Sequence, residues 1–135
     1  MKAISLWQPY ASAMALGFKK NETRHWATKY RGPLLIHAAK KVIGWPSIDI
    51  QACFKDIAFQ PSDLPLGCLL CQVYLVDCKR ILNHNRPEGS EVIFGDYTSG
   101  RFMWITGNLK TLVNPIPFKG SQGFFNVPDE ILKEE

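Results

Sequence analysis

The sequence predicts an α+β domain, mainly β: a small curved sheet or partly open barrel with two or three peripheral helices. Three observations predict it. Strand-like segments are short and divided by turns rich in Gly and Pro, of which the chain holds 10 and 9. Helical periodicity is confined to brief stretches. Strands and helices do not alternate regularly, which argues against a doubly wound parallel sheet.

The elements follow in order. Residues 2–6 read as a short strand. Pro9 to Leu16 reads as a helix, with Pro near its first turn and Gly17 just past its end. Residues 22–26 and 33–38 are strands parted by the polar turn "ATKYRG". Pro46 opens a second helix that runs to about Ala58, with Ile50, Cys53, Phe54 and Ile57 at the spacing of one buried face. "QPSDLPLG" is a loop, and residues 67–78 are the longest strand. The next segment is loop-rich with one helical turn after Ser90. Residues 101–112 form a strand bent at Gly107. "NPIPFKGSQGFFNVP" is turn-rich and ends in a short strand, and a final helix starts at Pro128.

The 135 residues fit one domain, 1–135, long enough to bury roughly two-thirds of the unfolded surface without staples. Apolar content of 46% and charged content of 21% are ordinary for a soluble globular chain. No apolar run approaches a membrane span of ~20 residues, and the N-terminus lacks a signal-peptide pattern, so the expected location is cytoplasmic with no membrane partner. A net charge of +4 supports weak, salt-sensitive attraction to a polyanion rather than tight binding by charge alone. Its basic residues crowd the early stretch from Lys19 to Lys41. Four cysteines invite a metal reading, with Cys68 and Cys71 foremost. On a regular strand, however, positions three apart face opposite sides, so buried free thiols are expected and no metal or cofactor.

The stretch "LGFKKNETRHW", residues 16–26, concentrates charge beside an aromatic. If residues 22–26 are a strand, Glu22, Arg24 and Trp26 share one face while Thr23 and His25 share the other. Lys19 joins the first group only if the chain turns between Gly17 and Asn21, residue types that permit it. A lysine, a carboxylate, an arginine and an indole then surround one mouth. Cations for phosphate beside aromatics for stacking are the combination that holds single-stranded or flipped bases. A solvated strand edge with weak charge pairs is the plain alternative.

Gly17, Lys19, Glu22 and Arg24 reproduce G-x-K-x-x-E-x-R, the signature of the ASCH domain (activating signal cointegrator homology). The chain resembles bacterial and phage-type members over most of its length, through "ISLWQPYASAMALG", "YRGPLLIHAAK", "LPLGCLLCQVYLVDC", "FGDYTSGRFMWI" and "PIPFKGSQGFFNVP". The resemblance implies a PUA-like β-barrel, related to folds that bind RNA or modified bases, with the motif lining a cleft. Some small members hydrolyse N4-acetylcytidine-type amides, and at least one kind is described as a ribonuclease. In the amidohydrolases the motif lysine works with a threonine three residues later and a glutamate after the central strand. Lys19 matches the lysine, Glu22 occupies the threonine position with Thr23 one residue off, and Glu91, or else Glu88, corresponds to the glutamate.

Outside the motif, Arg31 is a phosphate contact or an exposed turn residue. His37 in "LLIHAA" reads as a satisfied core histidine, and His84 as exposed. In "KGSQGFF" the glycines allow close approach to a ligand, and the Gln122 amide can read a base edge. Arg101 and Trp104 begin a strand near that mouth, Trp104 being either rim or core. No Walker loop, dinucleotide fingerprint or G-x-S-x-G elbow occurs.

Two functions therefore stand. A binding module would hold RNA, a nucleotide or a modified nucleoside through Trp7, Gln8, Gly17, Lys19, Arg24, Trp26, Arg31, Arg101 and Gln122. A metal-independent hydrolase of a modified nucleoside or an RNA phosphodiester would use Lys19 as base with Glu22 or Glu91, and Tyr97 as a further candidate. A protein-interaction domain without ligand is the third reading.

Overall fold

Among the described residues there are six strands, the longer ones built on β-branched and aliphatic runs: β1 Lys2–Gln8, β2 Asn21–Arg24, β3 Gly32–Val42, β4 Cys68–Arg80, β5 Phe102–Pro117 and β6 Phe125–Asn126. The computed structural model describes residues 1–132. The strands form one sheet in the order β2-β5-β4-β3-β1-β6. β1 runs parallel to β3, and every other pairing is antiparallel. The sheet is open, with β2 and β6 at its edges. Among the described residues, two six-residue helices, α1 Tyr10–Ala15 and α2 Ile48–Cys53, and three short 3-10 segments lie outside it. No helix among the described residues is long and apolar enough to cross a membrane.

Each face of the sheet buries its own apolar cluster. Leu34, Ile36, Val73, Leu75 and Trp104 pack with α1 through Ala11 and Met14. Ala3, Leu35, Leu69 and Val127 fill the other side. Each such Leu, Ile or Val contributes roughly 1.5–3 kcal/mol relative to exposure. A third cluster joins Ala13 of α1, Ile50 and Phe54 at α2, Leu64 and Phe94, and so anchors the segment that will floor part of the site.

Several expectations need correcting. The second helix is half its expected length: Ser47 caps it, its Oγ accepting from Ile50 N at 3.1 Å, but it ends at Cys53. Beyond Phe54 the chain turns, Ala58 still packing against the cluster while Ile57 is half exposed. The helix expected from Pro128 is one 3-10 turn, Asp129–Leu132, its remainder falling outside the described residues. β5 runs five residues further than expected, and the bend at Gly107 is a bulge. Tyr74 faces Gly107 but Gln72 faces Lys110, while Asn108 takes a left-handed φ of 51°. A bulge also undoes the argument from parity for the cysteines. His37 pairs Leu69 and Ile36 pairs Cys71, so Leu70 is the extra residue and both Cys68 and Cys71 enter the same cluster. They are free thiols, and burial pushes Cys71 up to about 12. Trp104 is core, with no exposed surface.

Candidate functional site

Gly17 ends the first helical segment at φ +84°, a conformation that favours glycine. The turn it permits brings Lys19 inward. The ammonium, at the end of a side chain only 1% exposed, lies 3.2 Å from Glu22 Oε1. It also donates to Phe94 O at 2.8 Å and to Asn21 O. An ammonium has three protons, and all three are engaged. Glu22 Oε2 in turn accepts from Arg24 Nε at 2.9 Å. Arg24 Nη2 donates to Ser5 O at 3.0 Å, leaving Nη1 unused among the described residues. Lysine and glutamate therefore act as an internal brace that aims one guanidinium.

That guanidinium stands on the ridge between two hollows, both lined by Ser5, Trp7 and Arg24. The smaller, about 540 Å³, adds Tyr10, Glu22, Gly95, Asp96 and Arg101. Burial and then the Glu22 charge raise the Tyr10 phenol. Hydrogen bonds from Thr98 hold Asp96 below the usual carboxylate range. Arg101 reaches Asp96 O at 3.2 Å and Thr23 O at 3.4 Å. The larger hollow, about 1390 Å³, is walled by Trp7, Trp26, Lys40, Phe118 and the loop from Lys119 to Gly123. Trp7 is 45% exposed, and Lys41 Nζ lies 4.8 Å from its ring centroid.

Of the expected ligand residues, the structure brings Trp7, Arg24, Trp26, Arg101 and Gln122 to these walls. Trp26 arrives by a different route from the one expected. β2 stops at Arg24, so Trp26 is not on the Glu22–Arg24 strand face but packs edge-on against Trp104 at 4.7 Å. Gln8 is fully buried. Its amide donates to Ser12 Oγ and Pro65 O and accepts from Ser12 N, so both donors are spent inside the core, on the same side of β1 as buried Leu6 and opposite exposed Trp7. Gly17 and Arg31 line neither hollow. Gly17 serves the turn, and Arg31 is held by Thr28 O, Tyr30 O and Asp77.

Lys19 lies beneath the site rather than at its mouth. Glu91 spends both carboxylate oxygens on Lys20 N and Asn21 N, at 2.9 and 3.2 Å, which steadies the approach to β2. Tyr97 is buried and its hydroxyl makes no well-formed hydrogen bond; burial pushes it up to about 12, the nearby Asn21 side chain partly opposing and the Glu91 and Glu22 charges adding to the rise.

One pair escaped the sequence reading. Ser5 and His37 are register partners on β1 and β3, with Ser5 Oγ 2.8 Å from His37 Nδ1, on the wall of the larger hollow. No local signal links residues 32 apart on parallel strands. Lys40 and Lys119 were likewise legible only as part of a basic excess.

The ASCH domain family's sequence model matches residues 4–116. The chain is 33% identical over 136 residues to activating signal cointegrator 1 of Homo sapiens and 31% identical over 134 residues to that of Mus musculus. Each alignment covers 95% of this chain and 22% of the relative, so the chain spans about a fifth of their length. A solved ASCH structure from Zymomonas mobilis superposes with a TM-score of 0.59 at 14% identity, covering 98% of this chain and 91% of that one. A single-substitution variant of it does so at 16% identity, covering 98% and 94%. The expected PUA-like fold is thus borne out.

Proposed function

Because the chain belongs to the ASCH domain family, whose PUA-like fold is associated with RNA binding, we propose that it binds single-stranded RNA or a nucleotide-like ligand across the two hollows. The Trp7 ring supplies a stacking surface, with Trp26 on the same wall. Arg24 Nη1, Lys40 and Lys119 meet phosphate, and the exposed Gln122 amide reads a base edge. The single observation that carries the reading is the brace. Lys19 and Glu22 use their charges on one another and on Arg24, which leaves a positioned guanidinium between aromatic walls.

The alternative, hydrolysis with Lys19 as base, requires a free amine lone pair. Lys19 instead donates to two carbonyls and a carboxylate, which speaks for its role as a positioning residue. A fluorescence-anisotropy titration with a short labelled single-stranded RNA, repeated over a salt series, tests the reading. Binding that weakens with salt and weakens again in Arg24→Gln supports it. Binding unchanged by Arg24→Gln removes it. Turnover of acylated cytidines that is lost in Lys19→Ala, with the fold intact, would reinstate the hydrolase.

A further inference from the structure

The Ser5–His37 pair plays no part in that reading, and its hydrogen bonds fix its chemistry. Phe118 O can only accept, and it lies 2.6 Å from His37 Nε2, so the ring proton sits on Nε2 and Nδ1 is the acceptor. Ser5 must then donate its hydroxyl proton to Nδ1 at 2.8 Å. This is a nucleophile, a base and a group that orients the base, in sequence. Burial lowers His37 from its ordinary value, with the Phe118 carbonyl partly opposing, which keeps the ring neutral and able to take a proton at neutral pH. Gly120 lies directly over the pair. A Cβ there would sit 2.5 Å from Ser5 Oγ and 2.6 Å from the His37 ring, so only glycine lets this loop pack closely against the pair and bring its backbone to the same wall. Donors for a developing oxyanion stand on the same wall: Arg24 Nη1, and the backbone N–H groups of Gly120 to Gly123, which have no hydrogen-bond acceptor among the described residues.

We propose that Ser5 and His37 form a hydrolytic dyad that cleaves carboxylic esters of anionic alcohols, such as an O-acyl group on the ribose of a nucleotide. Ser5 Oγ bonds to the acyl carbon while its proton passes to Nδ1. The adduct collapses, the C–O bond to the alcohol breaks, and the leaving oxygen takes the proton from Nδ1. Water then gives a proton to Nδ1 and attacks the acyl-serine, releasing the carboxylic acid and returning the proton to Oγ. Esters rather than amides follow from the orienting group. A neutral carbonyl supports the imidazolium less than a carboxylate does, so the leaving group must depart readily. The anionic class rests on the binding reading above, through Arg24, Lys40 and Lys119. The dyad itself does not.

The test treats the protein with phenylmethanesulfonyl fluoride and maps the modified peptide by mass spectrometry. Oγ replaces fluoride on sulfur, so sulfonylation at Ser5 is expected, and modification elsewhere or none overturns the dyad without any variant. Hydrolysis of p-nitrophenyl acetate should be lost in Ser5→Ala and fall at least about 100-fold in His37→Gln. Equal rates in wild type and Ser5→Ala also overturn it. A 3′-O-acetyl nucleoside 5′-monophosphate should be cleaved faster than the uncharged 3′-O-acetyl nucleoside. Equal rates on these two, with Ser5 still required, support the dyad and overturn the anionic class alone.

Discussion

Replacing Glu22 by Gln keeps the shape of the brace and removes its negative charge. Lys19 Nζ lies 3.2 Å from Glu22 Oε1, and its side chain is 1% exposed. At that distance the gross attraction is about 5 kcal/mol with an effective dielectric of 20. Part of this returns, because a neutral amide costs less to bury than a carboxylate, and Lys19 keeps its carbonyl acceptors at Asn21 and Phe94. A net loss of about 3 kcal/mol remains, the low end of what breaking one half of a buried pair costs. For a chain of this size it corresponds to a fall in Tm of about 12 °C. Thermal unfolding by circular dichroism reads it directly. The double variant Lys19→Met/Glu22→Gln supplies the control. With no ammonium left to strand, its loss should stay near about 3 kcal/mol instead of the about 6 expected from two independent losses. Additive losses, or a single-variant shift under about 3 °C, would refute the brace.

Three further outcomes follow from the geometry. Arg24→Gln should lower the affinity for single-stranded RNA and reduce the slope of log K against log salt by about 1, measured by anisotropy. Trp7→Ala should leave Tm nearly unchanged, since the ring is already half exposed, yet cost about 1–3 kcal/mol of binding by the same assay. Stability should fall as pH drops below 6.5, the ordinary histidine value. Because the folded His37 is held lower, the unfolded chain takes a proton there that the native one refuses. Urea denaturation should find that slope below about pH 6.5 reduced in His37→Gln.

The strands were legible in the sequence because aliphatic alternation and Gly or Pro punctuation are local signals. What broke the reading was register. The extra residues at Leu70 and at Asn108–Leu109 shift parity without any mark in composition, and so the faces assigned to Cys68 and Cys71 were wrong. Residues placed by their own turn, such as Lys19 behind Gly17, could be anticipated. Glu91 could not, since its partners, the backbone N–H groups of Lys20 and Asn21, lie 71 and 70 residues away, and Gln8 was only partly so: two of its bonds go to Ser12 four residues on, the third to distant Pro65. Ser5 and His37 meet only because two parallel strands adopt one particular alignment, which is a property of the whole sheet.

The engagement of all three Lys19 protons changes what the four-residue signature reports. In this chain those four letters build a scaffold: a turn, an inward rivet and an arginine held at a fixed angle over open space. What the socket can hold is then set by the residues around that arginine, Trp7, Trp26 and Arg101 among them, none of which the four letters name. The signature here therefore describes the architecture of a socket and remains silent about what is plugged into it.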